Sequence, residues 1–181
     1  MHLTYPGEHN PGEHSPGRHL AICLLIVLLS ATACFGQEDR VLYSRLEIAD
    51  LDLTNEQAAR LEAYESDPTT AEVEIVRIDL EVVRQEGDLR VVLPAGAELD
   101  FENEKVERRA DDDFSWFGQT VVDAQAIPAE MTLVIRGDDV VGTIQTGGEV
   151  YRIRPLGGGL HAVLSVDLNA LPPDHPPDSE N

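Results

Sequence analysis

Six histidines and two cysteines hold most of the nucleophile, base and soft-ligand chemistry open to this 181-residue chain. Three of the histidines, His9, His14 and His19, recur every five residues in PGEHN, PGEHS and PGRHL, and short His-rich tracts can bind metal. The plainer reading is that a Pro-Gly in each repeat prevents helix and strand alike, in an extended leader or one started too far upstream. Asp111, Asp112 and Asp113 offer oxygen to calcium, but they lack the alternate spacing and later Glu of an EF-hand loop, which leaves a solvated turn. Arg136-Gly137-Asp138 spells an integrin-type tripeptide, yet Gly-Asp between two Val/Ile runs is ordinary hairpin chemistry. Gly157-Gly158-Gly159 has no Lys-Ser/Thr after it and follows Pro155 instead of opening a helix, so it is no phosphate cradle. With the leader removed, His161 and His175 are the remaining histidines, and two do not make a three-histidine zinc site. His161 lies in a Val/Leu run beside a glycine turn, where a structural role is expected. Trp116 reads as a core residue. No catalytic group and no cofactor is expected.

The leader sets the compartment. Leu20 to Leu29 reads LAICLLIVLL, too short for a stable span, which needs about 20 residues, and right for the apolar centre of a signal peptide. Arg18 precedes it, and Ser30-Ala31-Thr32-Ala33-Cys34 comes after it. Ala31 and Ala33 fit ordinary cleavage. Ala33-Cys34 also resembles a bacterial lipobox, with Ala31 where Leu is usual, which would make Cys34 the acylated N-terminus. Cys23 lies inside the apolar run, so the exported body holds no disulfide although its compartment would permit one. Export to the periplasm or outer membrane, or secretion, is expected, with membrane contact through Cys34 alone.

The body from Cys34 has 181 − 33 = 148 residues, enough for one domain with a conventional core. Removing Glu8, Glu13 and Arg18 changes 34 acidic and 13 basic residues to 32 and 12, a net charge of −20. Such a surface repels nucleic acid and anionic lipid. It serves solubility or a basic partner surface.

The elements can be read from spacing. Thr54 with Gln57 three residues on predicts a capping box, with Ala58, Leu61 and Tyr64 on one helix face and Asp67-Pro68 as the stop. The preceding stretch, Val41 to Ile48, fits a strand or a second helix. From Val73 the period becomes two: Val76, Ile78, Leu80 and Val82 alternate with Arg77, Asp79 and Glu81. Gly87-Asp88 then turns the chain, and Leu89 to Leu93 is expected to return beside that strand. Leu99 to Glu107 is a polar strand, at an edge or on a wet face. From Phe114 to Val166, short Val/Ile runs end at Ile127-Pro128, Gly137-Asp138, Gly147-Gly148 and Gly157 to Gly159, which predicts an antiparallel meander of about four to five strands. The fold class is therefore mainly β, a meander or sandwich-like sheet with a short N-terminal helix. Residues 1–33 form the leader, 34–70 a segment with one helix, 71–170 the β domain and 171–181 a Pro-rich acidic tail.

One stretch carries a resemblance. Ser115-Trp116-Phe117-Gly118, a Leu-Val-Ile strand, Val141-Gly142-Thr143-Ile144, and Tyr151-Arg152-Ile153-Arg154-Pro155-Leu156 followed by three glycines and His161 resemble the N-terminal prodomain of secreted bacterial reprolysin-like (metzincin) zinc metalloproteases. The likeness runs from about Glu72 to about Pro177. It implies that Trp116, Gly118, Gly142, Tyr151, Arg154, Pro155 and His161 are structural motif residues. It implies a zinc metalloprotease catalytic domain as partner, held inactive or helped to fold. The family's HExxH motif has no counterpart in these 181 residues, so no zinc ligand or catalytic Glu carries over. Metzincin latency commonly places a prodomain group on the zinc, and in the polyproline-like tail Asp174 and His175 are the candidates; a plain linker is the competing reading. A free-standing envelope lipoprotein that reuses the fold as an interaction module is the alternative function.

Overall fold

The computed structural model describes residues 40–120 and 128–171. Among the described residues nine strands run in chain order: β1 (Tyr43–Leu46), β2 (Thr70–Ile78), β3 (Leu89–Val92), β4 (Glu98–Ala110), β5 (Asp113–Thr120), β6 (Ala129–Arg136), β7 (Asp139–Thr146), β8 (Glu149–Gly157) and β9 (Leu160–Val166). They make one antiparallel sheet in the order β1-β2-β9-β8-β7-β6-β5-β4-β3. The predicted meander is β5 to β9, its corners turned by glycines such as Gly137 and Gly148 with φ of 60° and 89°, a region open to residues without a Cβ.

The sheet curls until its outer strands meet, which removes most of the edge liability of an open sheet. Val41 and Arg90 form a parallel bridge. The Leu42 N–H donates to the Arg90 carbonyl and the Arg90 N–H to the Arg40 carbonyl, both at 2.8 Å. Side chains continue the seam where the backbone ladder stops: the Tyr43 hydroxyl donates to the Val92 carbonyl at 2.8 Å, and the Arg45 guanidinium to the carbonyls of Val92 and Leu93. A nearly closed barrel results, where the sequence suggested a meander or a sandwich.

Interior positions alternate along each strand, as a pleated sheet requires. Phe114 and Trp116 on β5, Met131, Leu133 and Ile135 on β6, and Ile144 and Ile153 beyond them are all 0–1% exposed. Each such side chain contributes roughly 1.5–3 kcal/mol by leaving water. Strand β9 is buried on both faces, because helix α1 (Asn55–Glu65) lies outside it. Leu61 of α1 joins Ile75, Leu156, Leu160, Ala162 and Leu164 in a second, outer cluster.

The capping box forms as the spacing predicts, with the Thr54 hydroxyl accepting from the Gln57 N–H and the Gln57 side chain accepting from the Thr54 N–H. The inward face differs by one position. Ala58 is exposed, and Gln57, Leu61 and Tyr64 turn to the sheet. Gln57 donates from its amide nitrogen to the Gly157 carbonyl at 2.8 Å and Tyr64 from its hydroxyl to the Pro155 carbonyl at 3.1 Å. The Val41–Ile48 stretch resolves into β1 followed by a 3-10 turn at Ile48–Asp50.

Two expectations from the period-two run are corrected. Leu80 and Val82 do not extend β2; they lie in a short helix, α2 (Leu80–Arg84), because Asp79 caps it, its Oδ1 accepting from the N–H groups of Glu81 at 3.1 Å and Val82 at 3.2 Å. That helix diverts the chain, so β3 pairs with β4 and not with β2. The polar strand β4 is flanked by β3 along Glu98–Phe101, while its pairing with β5 runs on to Ala110. Its distal half is therefore an edge carrying Lys105, Glu107, Arg108 and Arg109, charges that blunt edge pairing.

Candidate functional site

The motif residues of the meander fall on the barrel wall, and most have a packing reason for their identity. Trp116 is fully buried, and its indole N–H donates to the Gly87 carbonyl at 3.3 Å. Its ring lies across Gly118: a Cβ there would stand 2.2 Å from Trp116 Cη2 and 2.5 Å from the Glu102 carbonyl oxygen. Gly142 leaves room in the same way for Leu133, whose Cδ2 would be 2.7 Å from a Cβ. Tyr151 is buried, with its hydroxyl donating to Glu149 Oε2 at 2.9 Å, while Arg154 faces outward and is half-buried.

Pro155 and His161 work as a unit. The β7–β8 ladder runs to Gly142↔Ile153, and continuing that register would set Val140 opposite Pro155. The Pro155 carbonyl is occupied by Tyr64, and Pro has no N–H to offer. The Val140 N–H donates instead to His161 Nε2 at 3.0 Å. His161 is 1% exposed, and burial holds its imidazole below the usual 6.5, against the opposing influence of the Gly159 backbone and the Asp139 carboxylate. A neutral imidazole accepting at Nε2 carries its proton on Nδ1, and Nδ1 has no partner at full hydrogen-bond geometry. Such a ring closes a gap in the ladder.

A polar group that the sequence reading did not single out lies one row away, on β2. Glu74 lies on the interior parity of β2, two residues before Val76, and pairs with Arg45 Nε at 3.2 Å. Desolvation raises its carboxyl above the usual range, with Arg45 opposing. Burial, then Glu74, push the Tyr43 hydroxyl well up, and burial with the Glu149 hydrogen bond takes Tyr151 up to about 12. Both phenols stay protonated at neutral pH and act as donors. The signal was legible: the alternation that buries Val76 and Ile78 also points Glu74 inward. Together Tyr43, Arg45 and Glu74 lock the β1–β3 seam, a structural task.

Asp111 and Asp112 form the exposed tip between β4 and β5. The Asp112 carbonyl accepts from the Gly137 N–H at 2.8 Å, and Arg109 Nη2 lies 2.7 Å from Asp113. Among the described residues no three His, Cys, Asp or Glu side chains gather as a metal site, and no helix is long and apolar enough to cross a membrane. Open grooves mark the surface of the described residues. One of about 620 Å³ lies between β1 and α2, with Tyr43, Arg77 and Asp79 among its walls, and one of about 310 Å³ runs beside the β7–β8 turn, where Leu168 meets Gln145 and Val150. The leader with His9, His14 and His19, the candidate lipidation site Cys34, and the tail residues Asp174 and His175 lie outside the described residues.

Fold and site define a nearly closed antiparallel β domain whose motif residues serve packing. Comparison with known proteins relates it to part of a metalloprotease. No family model matches the chain. It is 31% identical over 120 residues to the peptidyl-Asp metalloendopeptidase of Xanthomonas campestris pv. campestris, covering 61% of this chain and 29% of that protein. Two strains of Stenotrophomonas maltophilia have proteins of the same name, each 33% identical over 122 residues, covering 61% of this chain and 28% of theirs. The chain thus matches under a third of the length of these relatives. Among solved structures, one described as a chaperone–substrate complex aligns with a TM-score of 0.44 and 15% identity, over 54% of this chain and 82% of that one.

Proposed function

We propose that this chain is a non-catalytic, prodomain-like barrel that inhibits a zinc metalloprotease or assists its folding. The observation that carries the reading is the match itself: 120 to 122 residues of this chain align with metalloendopeptidases, and in the described β domain Trp116 packs over Gly118 and His161 accepts from Val140. The 181 residues contain no HExxH, so the zinc chemistry of such a protease would come from the partner. The relatives are named for action at peptidyl-Asp, and a cleft that accepts Asp suits an acidic neighbour with 34 carboxylates against 13 cations. Within this proposal Asp174 and His175 are the candidate groups for the partner's zinc, and Cys34 is the site of lipid attachment after export.

The test uses the mature peptidyl-Asp metalloendopeptidase of Stenotrophomonas maltophilia and a fluorogenic peptide containing Asp. Adding this chain in equimolar amount should suppress cleavage, or raise the yield of active enzyme on refolding. No effect in either assay would end the proposal. Replacing Asp174 and His175 together by Ala should weaken suppression, and full suppression by that variant would remove those two residues from it.

A further inference from the structure

In a chain where carboxylates outnumber cations 34 to 13, an arginine without a carboxylate partner is a matter of placement and not of supply. Two such residues stand side by side on β8. Arg152 and Arg154 share its outward face, both half-buried, with no hydrogen bond or ion pair among the described residues. The charge of Arg152 is felt at Asp67, whose carboxyl is held low chiefly by hydrogen bonds from Thr69.

The strand register shows what lies beside them. One row crosses the outside of the sheet as Lys105, Phe117, Thr132, Thr143 and Arg152. The next sets Ser115 beside Val134 and Val134 beside Val141, and Val141 is 37% exposed. The middle of the face is thus hydroxyl and apolar, between the Lys105–Glu107 ion pair on one side and the two arginines on the other; the rows on either side of it add Glu130 and, opposite Arg136, Asp139, both exposed. The first strands of the same outer surface are already covered, since α1 lies against β2, β8 and β9. On β5 the Arg109 guanidinium reaches over the buried Ser115 hydroxyl, while on β6 and β7 the outward Thr132, Val134 and Thr143 are half-buried and Val141 exposed. The route of the chain points to the same place. Leu168, three residues before the last one described, lines a groove with Gln145 and Val150, outward positions two residues from Thr143 and Arg152. The described chain therefore ends close to the rim of this face.

We propose that the outer face of β5–β8 receives the protease domain, through a patch on that domain with an apolar centre and carboxylates that meet Arg152 and Arg154. The proposal rests on the function proposed above, and it adds the surface and its charge. Opposite charges around an apolar centre fix orientation and speed encounter, and a flat, partly apolar sheet face supplies the area.

The experiment measures the dissociation constant of the full chain for the mature Stenotrophomonas maltophilia enzyme, with three variants. The double change R152E/R154E should weaken binding by more than tenfold. Val141→Glu, at an exposed position whose change leaves the core intact, should do the same at the centre of the face. The change R77E/R84E alters net charge equally but lies on β2 and α2, and it should stay within twofold of the parent. Thermal melts establish that each protein is folded, and should R152E/R154E not fold, Val141→Glu decides alone. Parent-like binding by folded R152E/R154E or by Val141→Glu overturns the face while leaving the function standing. Absence of binding by the parent chain overturns both. Self-association of the parent that Val141→Glu abolishes would assign the face to a second copy and overturn the protease as its occupant.

Discussion

Replacing Gly118 by Ala adds one methyl group to the barrel wall, and the structure says what that methyl would meet. It would stand 2.2 Å from Cη2 and 2.7 Å from Cζ3 of Trp116, and 2.5 Å from the Glu102 carbonyl oxygen. Trp116 is fully buried and donates to Gly87, so its ring has nowhere to swing. The Glu102 carbonyl belongs to β4, which is hydrogen-bonded to β5 at this level. Gly118 does not take a positive φ, so the expected cost is steric alone. Overpacking of this kind costs about 1–3 kcal/mol, occasionally more, and two obstructions, one of them backbone, place the change at about 3 kcal/mol. In a domain of this size that lowers the melting temperature by roughly 6–12 °C. Urea unfolding monitored by circular dichroism reads it directly. Shrinking the ring with Trp116→Phe in the same molecule should recover only part of the loss against its own parent, since the Glu102 oxygen stays in place. A cost below about 1 kcal/mol for Gly118→Ala would refute the packing argument.

Three further expectations rest on named contacts. The imidazole of His161 is held below 6.5 by burial. Above pH 6.5 both folded and unfolded chains carry it neutral; as pH falls below that, the unfolded chain takes up a proton that the folded one refuses, and stability drops by up to about 1.4 kcal/mol per pH unit until the folded pKa is reached. Urea midpoints between pH 7 and 5.5 should show this slope, and His161→Gln, which keeps an acceptor for Val140, should flatten it. Thr54→Ala removes the capping box of α1 and should cost about 1 kcal/mol, read by the same unfolding. Tyr43→Phe deletes the hydroxyl that donates to Val92 across the seam at 2.8 Å; a loss of about 1 kcal/mol, with faster amide exchange at β1 and β3, is expected, and unchanged exchange there would deny the seam its role.

The meander was legible because its information is local. Val/Ile runs broken by glycine specify strands and corners without reference to anything distant, and β5 to β9 fall where those runs lie. The Thr54–Gln57 box is equally local. Misreading began at Asp79, where an apolar run with period two continued through Leu80 and Val82 but an Asp able to accept from the next N–H groups tipped the chain into α2. The pairing of β3 is a consequence of that detour and depends on contacts between residues far apart in sequence, which no window of the chain contains. The same holds for the seam: nothing near Tyr43 or Arg45 announces Val92 and Leu93 as acceptors. At the motif, residue types were readable, but the reason for them was not. That Gly118 exists for the Trp116 ring, and that His161 repairs the ladder beside Pro155, appears once strands are placed in register.

Whether this barrel partners a metalloprotease domain is read most directly by sedimentation. Sedimentation of an equimolar mixture of this chain and the mature Stenotrophomonas maltophilia peptidyl-Asp metalloendopeptidase should yield a single species with the summed mass of one copy of each. Two boundaries moving independently at their separate masses would contradict it.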